Sequence, residues 1–510
     1  MRTIKLLGSI AFSTCLLLSC SDSSNNLLPE LDSPATTRAV GASEVVLQWN
    51  SEKQTIDGFG VAQAGWTDYL YAHRKRNEVM NLLFGNDGLH LNILRGEVYP
   101  HFWENETDKD FNMDEDINMS LNDPFFDIDF SADGNEASEA IAQRKGQLWI
   151  TKQAKETYNV NKLVFSVWSA PAYMKDNGSV SKGSLSTSHY QAFADYLSSF
   201  CDAYKSAGLN VYALSPANEP EYAASWNSCQ WSYNQLGKFL ANNMIPTFKE
   251  KQPGVKIIFG ENAQWNKVWY VYQGSKTFTN NIISNYPAVA QYPVIAAGHG
   301  YPNPKIPGLP LPDDVMPAIE PFDKAEANNI PVWLTEISDA VKSYSTSMSD
   351  GLKWGKLFHQ YLNNANVGAI IWWAGALPDH GTNEGLIYID KNRVNYETSK
   401  RYEVFGNFTR YIPAGSKRIT LEKGSSINSN VLISAYKNNK EFTTVAINPT
   451  TNAITFNLGL NGTTINGNLK AYLTDDTRKW EAQEEIVPVN GTYTVSLPAN
   501  SVVTFTGITE

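Results

Sequence analysis

The sequence predicts an α/β protein, a (β/α)8 TIM barrel with an attached antiparallel β-sandwich side domain. Three observations carry the expectation. From about residue 55 to about residue 405, eight short apolar runs alternate with longer amphipathic stretches. Beyond about residue 405 the texture changes to short β-rich runs separated by turns. No turn of the G-x-G-x-x-G type follows any of the eight runs, so the usual support for an open dinucleotide-binding sheet is missing.

The eight candidate strands are residues 58–62, 91–96, 163–169, 211–216, 256–260, 294–297, 332–335 and 369–373. Apolar throughout rather than alternating, they read as strands buried on both faces, the habit of parallel sheets covered by helices. Helical patterns such as 190–207, 233–250 and 348–363 supply the cover. Eight such units close a barrel, expected over residues 54–405. Residues 406–510 carry strand patterns at 431–436, 442–447, 454–458, 469–473, 493–497 and 502–505, with Asn461-Gly462, Asn466-Gly467 and Asn490-Gly491 as turns. A run at 45–49 precedes the barrel, and residues 45–53 are expected to give the side domain its first strand.

Apolar residues make up 42% of the chain and charged ones 18%, a composition that packs. Aromatics reach 12%, with 14 Trp and 25 Tyr, which suits core packing and also the stacking of sugar rings. The formal net charge is −11, or −13 once Arg2 and Lys5 leave with residues 1–19. No basic run offsets it, so nucleic acid and anionic membrane surfaces are poor partners.

Arg2 and Lys5 precede an apolar run at 6–18 that is too short to span a bilayer, and residues 1–19 read as a secretory signal. The ending Leu17-Leu18-Ser19-Cys20 resembles the lipobox of bacterial lipoproteins, in which the cysteine is acylated and becomes the first residue. A polar stretch rich in Ser and Asn follows, as a flexible tether over residues 20–44 would. The chain is therefore expected to be exported and held by Cys20 at the bacterial outer membrane or cell surface. The alternative is an ordinary signal with an incidental cysteine. With Cys15 removed and Cys20 acylated, Cys201 and Cys229 remain, and sequence leaves open whether they pair.

Two glutamates fall where a barrel enzyme places its chemistry, at the C-terminal ends of strands. Asn218-Glu219-Pro220 follows the fourth candidate strand, and Trp333-Leu334-Thr335-Glu336 closes the seventh. Their separation of 117 residues accommodates three βα units. Singly, a strand-end Glu is commonly an ion-pair partner or a cap. Paired at one barrel mouth, the two supply what cleavage of a glycosidic bond needs, one protonated carboxyl and one ionised.

Five motifs in order make the resemblance specific. They are Asp57-Gly58-Phe59-Gly60; Ser166-Val167-Trp168-Ser169-Ala170-Pro171-Ala172-Tyr173-Met174-Lys175 with Asn177-Gly178; Asn218-Glu219-Pro220-Glu221-Tyr222; Trp333-Leu334-Thr335-Glu336; and Trp372-Trp373. Over about residues 45–510 the chain resembles glycoside hydrolase family 30, the β-sandwich beside the barrel included. The resemblance implies retention of configuration, with Glu219 as acid/base and Glu336 as nucleophile. It matches Arg95 to an arginine that keeps the nucleophile ionised and Tyr301 to a tyrosine that hydrogen-bonds it. Asn218 would bind the sugar 2-hydroxyl, while His299, Trp168 and Trp373 either line the sugar pocket or serve the barrel core.

Ser228-Cys229-Gln230-Trp231 looks closest to the xylanase-like bacterial branch, so an endo-β-1,4-xylanase is the first expectation for the substrate. β-1,6-Galactanase, β-1,6-glucanase and glucosylceramidase activities, all found in the family, are the alternatives. Members specific for glucuronoxylan carry a Tyr-x-Arg-Arg-like segment after the strand-eight tryptophans. Here Ala374-Gly375-Ala376-Leu377-Pro378-Asp379-His380 stands instead, without an obvious bidentate donor for a uronic carboxylate. Lys391 and Arg393 are more distant substitutes, and strict dependence on glucuronosyl branches is not expected. The segment 99–138 either walls the cleft or is a surface insertion; its Asp114-Glu115-Asp116 lacks the glycine and terminal Glu of a calcium loop. No metal and no cofactor are expected, and the protein is expected to act as a monomer on a polysaccharide. The competing non-enzyme reading, a glycan-binding surface lipoprotein, would be marked by loss of one carboxylate, and both are present.

Overall fold

A computed structural model of the chain describes residues 40–63, 66–100, 136–266, 273–301, 318–339, 343–378, 382–390 and 392–510, without the side chains of 136–144. The signal, Cys20, Asp114–Asp116, Asp379, His380 and Lys391 lie outside them. After a leading strand β1 (Glu44–Thr55), eight parallel strands close into a barrel: β2 (Gly58–Ala62), β3 (Ile93–Glu97), β4 (Lys162–Ser166), β5 (Val211–Ser215), β6 (Lys256–Gly260), β7 (Val294–His299), β8 (Val332–Glu336) and β9 (Ala369–Trp372), with β9 pairing back onto β2. Each of the eight expected runs is one of these strands.

Both faces of the strands are apolar, yet the period of two still sorts them. Ile258 of β6 and Ile295 and Ala297 of β7 fill the barrel interior with Val164, Ala213 and Ile371. Ile257, Phe259, Val294 and Ala296 face the helical layer. The same parity, extended two residues toward the C-terminal ends, points Arg95, Ser166, Ser215, His299 and Trp373 at the axis of the mouth. Trp372, one residue out of phase, packs edge-on against Trp354 at 4.7 Å in the outer layer.

Helices run over Tyr190–Ser206 and Met348–Asn364, close to expectation. The pattern at 233–250 also forms a helix, but its middle, Leu240–Met244, widens to a π-turn before Pro246. A proline cannot donate to the ladder, and a π-bulge is one way a helix accommodates such an interruption. No helix among the described residues is long and apolar enough to cross a membrane.

Beyond the barrel, β10 (Ala374–Leu377), β11 (Gly385–Ile389) and β12 (Tyr396–Thr398) form a small sheet that the sequence did not announce. The side domain is a nine-stranded sheet of β1 with β13 (Lys417–Lys423), β14 (Leu432–Asn438), β15 (Glu441–Asn448), β16 (Ile454–Asn461), β17 (Ile465–Thr474), β18 (Glu481–Ala482), β19 (Tyr493–Leu497) and β20 (Ser501–Thr509), ordered β18-β17-β20-β15-β14-β13-β1-β16-β19. It curls until β19 meets β15 and β20, enclosing its own core around Leu47, Phe456 and Phe505. The pairing is antiparallel except between β1 and β16, which run parallel.

The helix Lys400–Thr409 joins the two parts. Trp480 of the sandwich lies on Gly406 and donates from Nε1 to the Glu403 carbonyl at 2.5 Å. Trp480 is thus an interface residue. Cys201 and Cys229 are both buried free thiols.

Candidate active site

Eight sequence-predicted residues meet at the C-terminal mouth of the barrel, and Arg95 organises them. It is fully buried in the middle of β3, and its guanidinium donates to Glu336 Oε2 at 2.9 Å, to Asn218 Oδ1 at 2.7 Å and to Glu261 Oε1 at 3.2 Å. The Trp168 ring covers it at 4.9 Å, and Trp373 stands 5.9 Å from Trp168. Burial opposes the charge on Arg95, but Glu261 and Glu336 outweigh it and hold the guanidinium more firmly protonated.

Glu336 closes β8 and is 3% exposed. The Tyr301 hydroxyl donates to its Oε1, opposite the Arg95 contact on Oε2. Burial pushes the Glu336 carboxyl above the ordinary range, against the pull of His299, Arg95 and the Tyr301 hydrogen bond. Burial likewise pushes the Tyr301 phenol well above its usual value, with Glu336 and Glu219 adding to it, so Tyr301 stays a donor.

Glu219 follows β5 in a left-handed backbone conformation, φ 45°, and its amide donates to the Glu261 carbonyl at 2.9 Å. A non-glycine residue there carries strain that the surrounding hydrogen bonds hold in place. His299, fully buried at the end of β7, lies between the two carboxyls: Nδ1 is 3.3 Å from Glu219 Oε1 and Nε2 is 3.6 Å from Glu336 Oε2. Burial lowers the affinity of His299 for its proton, but Glu336 and Glu219 raise it more, and the net shift is upward. One atom each of Glu219, His299 and Glu336 lies within 4.8 Å of the others.

Sequence reasoning missed Glu261. It follows β6 with φ 51°, is wholly buried, and accepts from Ser166 Oγ at 2.6 Å as well as from Arg95. Burial would raise its pKa, yet Arg95, His299 and the serines bring it below the ordinary value. The available signal was the one used for Glu219 and Glu336, a carboxylate at the C-terminal end of a barrel strand. Arg393, weighed as a distant clamp, sits in the turn between β11 and β12, where its carbonyl accepts from the Arg74 amide at 2.9 Å.

A closed eight-stranded parallel barrel with two facing glutamates at its mouth defines a barrel glycosidase. The chain belongs to O-glycosyl hydrolase family 30, whose model matches residues 42–301. A glucuronoxylanase of Bacillus subtilis (strain 168) is 24% identical over 509 residues, 96% of this chain and 97% of that protein. The family 30 subfamily 8 xylanase of Clostridium acetobutylicum superposes with TM-score 0.64 at 25% identity, covering 91% of this chain and all of that one. An endo-β1,6-glucanase shares the fold at TM-score 0.64 and 17% identity, over 91% of this chain and 93% of its own.

Proposed function

We propose that the protein is a retaining endo-β-1,4-xylanase, with Glu336 as nucleophile and Glu219 as acid/base. The observation that carries the reading is the approach of Glu219 and Glu336 to within 4.8 Å. That is close to the about 5–5.5 Å of retaining pairs and short of the about 6.5–9.5 Å that lets a water stand between inverting ones.

In the first step Glu336 attacks the anomeric carbon while Glu219 gives its proton to the leaving oxygen. Arg95 and Tyr301 hold one Glu336 oxygen each and favour its ionised form against the burial that pushes its pKa up. Asn218, fixed through Oδ1 by Arg95, turns its amide NH2 to the sugar 2-hydroxyl. Once Glu336 is esterified its charge is gone, and Glu219, left as a carboxylate by the first step, takes a proton from the incoming water. His299 anchors Oε1 of Glu219 and leaves the other oxygen to exchange the proton. The Trp168 and Trp373 rings form the apolar wall against the transferred sugar.

The xylan assignment rests on the xylanase relatives together with the motif texture around Cys229. Chain 374–377 forms β10 and carries no arginine, so glucuronosyl branches are expected to change the rate by no more than about tenfold, the worth of one ~1.4 kcal/mol contact. A panel of purified polysaccharides with product sizing tests this. Release of oligosaccharides from unbranched xylan supports it, whereas cleavage of a β-1,6-glucan or β-1,6-galactan alone overturns the substrate and keeps the mechanism. Azide should rescue Glu219→Ala with a β-azide product and Glu336→Ala with an α-azide product; unimpaired hydrolysis by either variant refutes the roles. Export and lipid attachment at Cys20 complete the proposal, and a Cys20→Ser product that still partitions into membranes would defeat the anchor.

A further inference from the structure

The loop that leaves Glu219 carries two aromatic rings that the described residues leave exposed. Tyr222 is 39% exposed and Trp226 54%, and they are the only aromatics among the exposed large hydrophobic side chains of the described residues. Their ring centroids stand 6.0 Å apart at 54°. Apolar faces of this size left in water gain free energy when a ligand covers them, and paired rings on a cleft rim suit the faces of pyranose sugars.

Their position is fixed from both ends. The Tyr222 amide donates to the Glu219 carbonyl at 2.9 Å, so the chain turns straight from the proposed acid/base to the first ring. Beyond Trp226, Asn227 Nδ2 donates to Glu97 Oε1 at 2.6 Å, and Lys175 Nζ to the Ser228 carbonyl at 2.6 Å. These bonds tie the loop to the end of β3 and to the loop after β4. In the barrel order β4 stands opposite β8, which carries Glu336. A sugar with its anomeric carbon at Glu336 and its leaving oxygen at Glu219 therefore sends its leaving group toward the rim above β3 to β5. The Trp168 and Trp373 rings, at the ends of β4 and β9 and 5.9 Å apart, are taken up by the transferred ring in this arrangement and are not free to serve the leaving group.

Resting on the carboxylate roles proposed above, we infer that Tyr222 and Trp226 form a stacking platform for the sugars on the leaving-group side of the cleaved bond. The Glu97–Asn227 hydrogen bond is the clamp that holds this platform in place before substrate arrives. A platform fixed in advance loses little entropy on binding. It serves both half-reactions, since a sugar acceptor returning to the glycosyl-enzyme would use the same rings, whereas water needs none.

The test uses reducing-end-labelled oligosaccharides of whichever β-linked chain the wild type degrades best. Trp226→Ala is expected to lower kcat/KM on the longest oligosaccharide about tenfold, the worth of one stacking contact. It should also move the cleaved bond at least one position toward the labelled end and lower the ratio of transfer to hydrolysis. Trp226→Phe should restore most of the wild-type pattern, and Asn227→Ala, which frees the clamp, should shift the cleaved bond in the same direction as Trp226→Ala. An unchanged cleavage pattern in Trp226→Ala overturns the inference, and so does a uniform loss of rate at every bond, which marks a merely structural role. A wild type inert on every β-linked chain would instead overturn the carboxylate reading, and the platform with it.

Discussion

Tyr301→Phe removes a single oxygen and tests how the buried Glu336 stays ionised. Burial pushes this carboxyl up, and the Tyr301 hydroxyl is one of the groups pulling it back. A hydrogen bond to a charged group contributes about 1.5–3 kcal/mol, and 1.36 kcal/mol corresponds to one pH unit, so the loss should be worth about one to two units. In the role proposed above, Glu336 works ionised. Its activity is present above its pKa and lost as pH falls through it, so raising that pKa moves the loss to higher pH. The acid limb of kcat/KM against pH, which reports the free enzyme, should therefore move upward in the variant. On the plateau, where Glu336 is ionised in both proteins, the rates should agree within several-fold. Melting should change little, because the ring is kept. An acid limb that stays in place with a lowered plateau would mean that Tyr301 only shapes the pocket, and would refute the reasoning.

Two stability predictions follow from other parts of the molecule. A Cβ on Gly406 would stand 2.1 Å from Cζ2 of Trp480, so Gly406→Ala should cost about 1–3 kcal/mol and lower the melting temperature; an unchanged melt would show that the Trp480 packing on this helix contributes little to stability. Burial pushes Glu97 up to about 8, far above its unfolded value of about 4.3. The folded state thus holds a proton that the unfolded chain releases, and the stability present below about pH 4.3 is lost as pH rises toward 8. Glu97→Gln imitates the protonated acid and keeps an acceptor for Asn227, so its melting temperature should fall less between pH 5 and pH 8. The slope should shrink rather than vanish, because Glu221 is also pushed up to about 8. Parallel melting curves for the two proteins would count against a buried neutral Glu97.

The barrel strands were legible because strands buried on both faces leave short, dense apolar runs such as Lys256–Gly260 and Val294–His299. Elements with mixed chemistry were not. Strand β13, Lys417–Lys423, carries four charged residues in seven, yet it lies inside the sheet between β14 and β1. The Lys417 and Arg418 side chains reach polar partners, Thr55 Oγ1 and Gln54 Oε1, so polarity that reads as surface is satisfied at an edge of the interface. The small β10–β12 sheet also went unread: β10 continues from β9 after one residue, and β12 is only three residues long.

The site shows where strand parity stops being a guide. Parity explains why Arg95, Ser166, Ser215 and His299 look inward, two or four positions beyond interior residues. It fails for Glu336. Trp333 is an interior residue, so strict alternation sends Thr335 inward and Glu336 out toward the helices. The ladder prevents this: Gly298 pairs with Leu334, and the next pair is His299 with Glu336, skipping Thr335. The extra residue brings Glu336 into phase with His299 at the mouth. Glu219 and Glu261 depart from alternation by another route, each past its strand end with positive φ. A strand-end carboxylate can thus be suspected from sequence, but its direction depends on a bulge or a left-handed residue, which tertiary pairing sets. For Glu219 and Glu336 the surrounding motifs supplied that missing direction. For Glu261, in Phe259-Gly260-Glu261-Asn262, no motif did, and only the guanidinium of Arg95 between three acceptors reveals that the second buried carboxylate belongs to the same network.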